Sequence, residues 1–135
     1  GWKTGNYWAR LEILRAGRKE GMDEMILVSP RGEVVSVCLA NVFVRVNGEW
    51  LTPPIDDGAR PGVVRGFLLR EGIGREAKVA ARDLEQVEAI LVCNSRLGPV
   101  RGVLLKDGKQ IGGEESEAEF FEELWQKFCQ AAWGV

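Results

Sequence analysis

Apolar and polar positions along the chain change their period several times, and each change marks an element. From Asn6 to Lys19, Tyr7, Leu11, Leu14 and Arg18 fall on one helical stripe, which predicts a helix stopped by Gly21. Short β-rich runs follow. Met25–Val28 is ended by the turn formers Ser29-Pro30-Arg31-Gly32, then come Glu33–Cys38 and Asn41–Val46. Asn47-Gly48 is a two-residue hairpin signal with Glu49–Thr52 as the return strand, so these runs read as an antiparallel meander. Pro53-Pro54 ends it. A helix is expected from near Gly62 to Glu71, closed by Gly72 or Gly74, then a strand at Glu76–Ala80 and a short helix at Arg82–Gln86. Ala89–Cys93 is continuously apolar, as in a strand buried on both faces. Val100–Leu105 reads as one more strand, turned by Asp107-Gly108. Glu117–Trp133 closes the pattern as an amphipathic helix with Phe120, Phe121, Leu124, Trp125 and Phe128 inward. One mixed α/β domain over residues 1–135 results, its sheet curled around a crevice.

Composition narrows the chemistry more than the fold. The net charge of −2 arises from 20 acids and 18 bases spread along the chain, and no basic patch points to nucleic acid. No apolar run approaches the roughly 18 residues of a membrane span. Cys38, Cys93 and Cys129 lack the close spacing of a metal or dithiol motif. All three read as buried thiols, which suits the cytoplasm. The chain has no histidine, so it cannot supply a Ser-His-Asp or Cys-His arrangement or a histidine-held metal. Chemistry must come from lysine, cysteine, tyrosine, carboxylates, or a cofactor with its own reactivity.

Four stretches then matter jointly. They are Lys3-Thr4-Gly5-Asn6-Tyr7, Ser36–Phe43, Leu51-Thr52-Pro53-Pro54 with Pro61–Arg65, and the apolar strand that ends in Cys93-Asn94-Ser95. In this order and at these spacings, Lys3 to about Val103 resembles the class IV aminotransferases. These are fold-type IV pyridoxal-phosphate enzymes that include branched-chain and D-amino acid aminotransferases and aminodeoxychorismate lyases. The resemblance implies a D-amino acid aminotransferase-like large domain, a mixed sheet curled into a partial barrel flanked by helices.

It also implies roles. Lys3 would be the catalytic Schiff-base lysine, suited by an amine that condenses with an aldehyde and then shuttles the α-carbon proton. Tyr7 would meet the cofactor's phenolic oxygen; a core tyrosine on the helix face is the competing reading. Gly62, Val63 and Val64 would hold the phosphate on backbone amides at a helix start, a physical possibility independent of the resemblance. Most relatives add a threonine hydroxyl where Val64 stands. Ser95 would add a hydroxyl on the phosphate side. Ser36 stands where relatives commonly place a glutamate against the pyridine nitrogen, and a serine cannot stabilise a pyridinium comparably. Glu33, three positions away along a strand, would need a bulge to replace it and is not expected to.

The resemblance further implies an amino acid or 2-oxo acid as substrate and a homodimer. Relatives carry an N-terminal domain of comparable size, and the chain starts two residues before Lys3. The expectation is therefore a C-terminal cofactor domain whose N-terminal half, in cis or as a separate chain, is missing. Alone it should bind cofactor weakly and be weakly active or inactive. Transamination is the first reading. Aminodeoxychorismate lyase activity is the alternative toward which Cys38–Asn41 and Cys93-Asn94-Ser95 lean. A non-catalytic remnant, which Ser36 and Val64 favour, is the third, and an α/β domain with an unassigned ligand the last.

Overall fold

A computed structural model describes residues 4–106, 108–111 and 118–134, with side chains from residue 8 onward. Three helices and nine strands appear among them: α1 (Thr4–Lys19), β1 (Ile26–Val28), β2 (Val34–Val37), β3 (Asn41–Val46), β4 (Glu49–Thr52), α2 (Val63–Arg70), β5 (Arg75–Glu76), β6 (Ala89–Asn94), β7 (Gly98–Gly102), β8 (Leu104–Lys106), β9 (Lys109–Ile111) and α3 (Ala118–Trp133). The central sheet has the order β5-β4-β3-β6-β7. All its pairs are antiparallel except β4 with β5, which run parallel because α2 carries the chain across between them. The expected mixed sheet is present. Among the described residues its strands do not close into a ring.

Alternation along the two central strands builds one core on each face. Phe43, Leu91 and Cys93 point to one side, where Val64 and Leu68 of α2 and Leu124 and Phe128 of α3 cover them. Val42, Val44 and Ile90 point to the other, against Val34 and Val37 of the β1–β2 hairpin and Val79 and Val87 of the segment before β6. The hairpin lies outside the central sheet, with its own register Ile26↔Val37 and Leu27↔Ser36. The predicted meander is therefore two hairpins. A tight turn at residues 37–40, closed by Val37 N donating to Ala40 O, swings β3 out of line with β2.

Other departures have local causes. The buried stripe of α1 is Arg10, Leu14 and Gly17, whereas Leu11 is half-buried, Arg18 is exposed and the Tyr7 side chain lies outside the described residues. The helix is rotated because Gly17 seats against Met25, where any Cβ would strike the sulfur, and because Arg10 finds acceptors on the hairpin. The strand expected at Glu76–Ala80 shortens to Arg75–Glu76 plus an isolated bridge between Glu33 and Ala80. The run Val100–Leu105 breaks at Val103 into β7 and β8, since β7 must follow β6 while β8 turns away to pair with β9. Asp107, half of the expected turn, lies outside the described residues. Trp125 is exposed at the rim of α3, tilted against Phe128, and Cys129 is only half-buried. Asn47 and Gly48 both take positive φ, 52° and 76°, as a type I′ hairpin requires.

Candidate cofactor site

Three loops meet at the end of the central sheet where β3 begins and β6 ends, and asparagines tie them together. Asn41 and Cys93 are paired across the sheet, which puts Asn94 and Ser95 beside the turn before β3. Asn94 Nδ2 donates to Leu39 O at 3.0 Å, while Asn94 Oδ1 accepts from the amides of Arg96 and Leu97 at 3.0 and 2.7 Å. That is an Asx-type turn, and it leaves Ser95 exposed at the tip. On the other side Asn41 Nδ2 donates to Arg60 O at 2.9 Å, which brings in the loop before α2.

α2 opens at this junction. Gly62 is its N-cap, with φ −67° and ψ 148°, and makes no side-chain capping bond. Gly66 N is the first to close a helical turn, on Gly62 O at 3.0 Å. The amides of Val63 and Val64 precede that turn and lie at the positive end of the helix, a ready place for an anion. Gly62 N is spent on Arg60 O at 2.9 Å, so Gly62 serves by shape: a Cβ there would collide with Asn41 Oδ1. The Val64 side chain is buried in the core and that of Val63 is 77% exposed, so only their amides can face a ligand.

Ser36, 1% exposed, sits on β2 one turn before this junction. No carboxylate stands in its place. Its Oγ accepts instead from Arg10 Nη1 of α1 at 3.1 Å, and the same nitrogen reaches Val37 O and Cys38 O at 3.4 Å each. Arg10 is 4% exposed. Burial lowers its pKa and the like charge of Arg60 adds to that, while Cys38 and Glu24 act the other way; a guanidinium nevertheless stays charged. Glu24 accepts from the amides of Met25, Cys38 and Leu39 at 3.1, 2.8 and 3.1 Å and so fixes the turn beside Ser36. Glu33 is committed elsewhere, to Lys78 at 3.4 Å. Burial, followed by the nearby Glu24 charge, pushes the Cys38 thiol up to about 11, against the pull of Arg10. Among the described residues no cluster of His, Cys, Asp and Glu is arranged for a metal ion, and no helix is long and apolar enough to cross a membrane.

The arrangement is thus an anion cradle on one side and a buried hydroxyl backed by a cation on the other. Residues 1–103 match the family model of amino-transferase class IV. The chain belongs to that family. Branched-chain-amino-acid aminotransferase of Escherichia coli strain K12 is 27% identical over 115 residues, covering 80% of this chain and 36% of its own length. The solved branched-chain aminotransferase from Escherichia coli superposes with a TM-score of 0.78 at 22% identity, over 92% of this chain and 44% of that one. A putative 4-amino-4-deoxychorismate lyase from Legionella pneumophila gives 0.73 at 21%, over 90% and 47%. A hypothetical aminotransferase from Mycobacterium tuberculosis, solved with alpha-ketoglutarate and PMP, gives 0.76 at 24%, over 89% and 44%. The chain thus spans about a third of the curated relative it matches, and under half of each solved chain.

Gly62, Val63, Val64 and Ser95 thus flank the end of the central sheet where β3 begins and β6 ends, while Ser36 lies on β2 in the neighbouring hairpin. Lys3 lies outside the described residues, as does the side chain of Tyr7. Arg10, Glu24 and Asn41 are parts of the site's frame that sequence reasoning passed over as functional. Arg10 had only a faint signal, its spacing of four and seven from Leu14 and Gly17.

Proposed function

We propose that this chain is the cofactor-holding half of a pyridoxal-phosphate enzyme that moves an amino group between an amino acid and a 2-oxo acid. The observation that carries the reading is an uncapped helix N-terminus held beside the end of the central sheet by Asn41, within a family match over residues 1–103. These features fit the cofactor, which has a phosphate at one end and a ring nitrogen at the other. Gly62 leaves room for close approach of the backbone, and the Val63 and Val64 amides are donors suited to a dianion. The M. tuberculosis neighbour with PMP supports the same assignment.

When bound, pyridoxal phosphate supplies an aldehyde for condensation with amines and a ring that withdraws electrons from the substrate's α-carbon. The chain's residues do the rest. Lys3 would hold the group through its amine and would serve as the base that moves the α-proton. Val63 and Val64 bind the phosphate, with Ser95 adding its hydroxyl. Tyr7 meets the phenolic oxygen and Ser36 the ring nitrogen. The remaining wall of the cleft comes from outside this chain, in keeping with the share of its relatives that it spans, and a homodimer is the proposed assembly. A second reading, pyruvate elimination by an aminodeoxychorismate lyase, is favoured by the hydroxyl at Ser36 where a stronger ring activator would be a carboxylate.

The test is an absorbance titration of the purified chain with pyridoxal phosphate, with Lys3→Ala in parallel and borohydride fixation before peptide mapping. A long-wavelength band that vanishes in Lys3→Ala, with label on Lys3, is the expected result. Label scattered over surface lysines would overturn the assignment. Product analysis separates transfer from elimination by the appearance of pyruvate.

A further inference from the structure

The carbonyl of Arg60 accepts two hydrogen bonds, one from Gly62 N and one from Asn41 Nδ2, each at 2.9 Å. The first closes a three-residue turn around Pro61. The second comes from a carboxamide on a residue that is 5% exposed, the first of β3, where the register pairs it with Cys93 of β6. Rotation about the Arg60 Cα–C bond would turn this carbonyl, and with it the planar peptide to Pro61. A carbonyl oxygen offers two acceptor sites, and both are filled here. The direction of the Arg60 carbonyl is therefore set from the sheet as well as from the loop.

That direction decides which amides are left for a ligand. With Gly62 N spent on Arg60 O, the amides of Val63 and Val64 come next, before Gly66 N closes the first helical turn on Gly62 O. They lie at the positive end of α2, and Val63 is 77% exposed, so this end is open to a ligand. The Asn41 carboxamide acts through its other atom too, since a Cβ on Gly62 would collide with Oδ1. One side chain thus bonds the residue two before the N-cap and packs against the N-cap itself. Arg65, further into the helix, ties α2 to Pro53 O and Glu76. The body of the helix and its entry have separate ties, and Asn41 serves the entry.

We propose that Asn41 is a positioning residue for the cofactor phosphate: by holding Arg60 O it aims the Val63 and Val64 amides, acting through the loop rather than on the ligand. The inference rests on the cofactor reading above, which puts the phosphate on those amides. Val64 has no hydroxyl to offer, so the hold on phosphate depends more on how the amides are aimed. Reciprocity follows. If the tie favours phosphate, bound phosphate favours the tie to the same degree.

Two aldehydes separate this role from a structural one. Pyridoxal phosphate and 5′-deoxypyridoxal share ring and aldehyde, but only the first carries the phosphate. Each is titrated against the full chain, unsubstituted and as Asn41→Ala and Asn41→Asp, by the long-wavelength absorbance band. Asn41→Ala is expected to weaken pyridoxal phosphate about tenfold, the worth of one hydrogen bond, and to leave 5′-deoxypyridoxal unchanged. Asn41→Asp keeps the shape beside Gly62 but turns a donor into a negative charge facing Arg60 O, and should weaken pyridoxal phosphate further. Equal losses for both aldehydes would make Asn41 a structural residue only and overturn the proposal, as would no loss for either. In the unsubstituted chain, exchange of the Asn41 Nδ2 protons with solvent, followed by NMR, should slow with pyridoxal phosphate and not with 5′-deoxypyridoxal. Unchanged exchange with the band present overturns the proposal and leaves the cofactor reading standing, and this measurement decides even if neither variant folds. No band with pyridoxal phosphate overturns both.

Discussion

Two arginines lose almost all contact with water in this fold, Arg10 at 4% exposure and Arg65 at 3%, yet their partners differ in kind. Arg65, in the first turn of α2, pairs with Glu76 of β5 at 2.5 Å and donates to Pro53 O at 3.2 Å. It is a cross-brace between the two ends of the β4–α2–β5 crossover, and its charge is met by a carboxylate that is itself half-exposed. Arg10 is held by a hydroxyl and two carbonyls, at longer range. One arginine is tied by a carboxylate, while the acceptors that the other reaches on the β1–β2 hairpin are a hydroxyl and carbonyls. Each also has a buried thiol within its field, Cys93 near Arg65 and Cys38 near Arg10.

The largest expected effect concerns those thiols. Burial raises Cys93 to about 12 and Cys38 to about 11, from an ordinary value near 9, and in both cases the neighbouring arginine pulls only partly back. The raised folded values make their stabilisation complete below pH 9; it is lost between pH 9 and the folded values of about 11 and 12, where the unfolded thiols ionise and the folded ones do not. Each thiol then removes about 1.4 kcal/mol of stability per pH unit. Urea midpoints measured from pH 8 upward should fall steeply, and Cys93→Ala should flatten the slope. Next comes Arg65→Met, which deletes the Pro53 bond and the ion pair while Glu76 can turn to water. A loss of about 1–3 kcal/mol by urea denaturation is expected, with the cofactor band retained.

Arg10→Met should cost less, about 1 kcal/mol by urea denaturation, since the hydrogen bonds it loses to the hairpin are made to neutral acceptors at 3.1 and 3.4 Å. A loss equal to that of Arg65→Met would dissolve the contrast between the two. The smallest effect is expected at Lys78, an exposed cation that bridges Asp57 at 3.1 Å and Glu33 at 3.4 Å. Lys78→Ala should leave the midpoint unmoved, because solvent screens such pairs.

How far these features could be read in advance depended on whether the cause was local. Asn47-Gly48 dictates its own backbone, and β3 and β4 fall at the predicted residues. Ala89–Cys93, apolar throughout, is indeed sandwiched between two cores. The split at Val103 was invisible, since a continuous apolar run contains no mark of two strands belonging to different sheets. The α1 face was misjudged for a related reason. An arginine reads as solvent-facing until the acceptors on β2 and the turn after it, 26 to 28 residues away, are in place. At the site, Ser36 and Ser95 were singled out through resemblance alone, whereas Gly62 was also legible as a helix start. The physical reason for Gly62, its closeness to Asn41, required the fold.

Asn41 gives the site a mechanical property. It is the first residue of β3, the middle strand, flanked by β4 and β6, and its carboxamide clasps the loop that leads into α2. The loop therefore has no hinge of its own at this point. To swing the helix start away from the sheet, the chain must break that clasp or lift the end of a strand that is paired on both sides. Motion of the cradle is thereby tied to the opening of the core, and a ligand that fills the cradle would stiffen the strand beneath it.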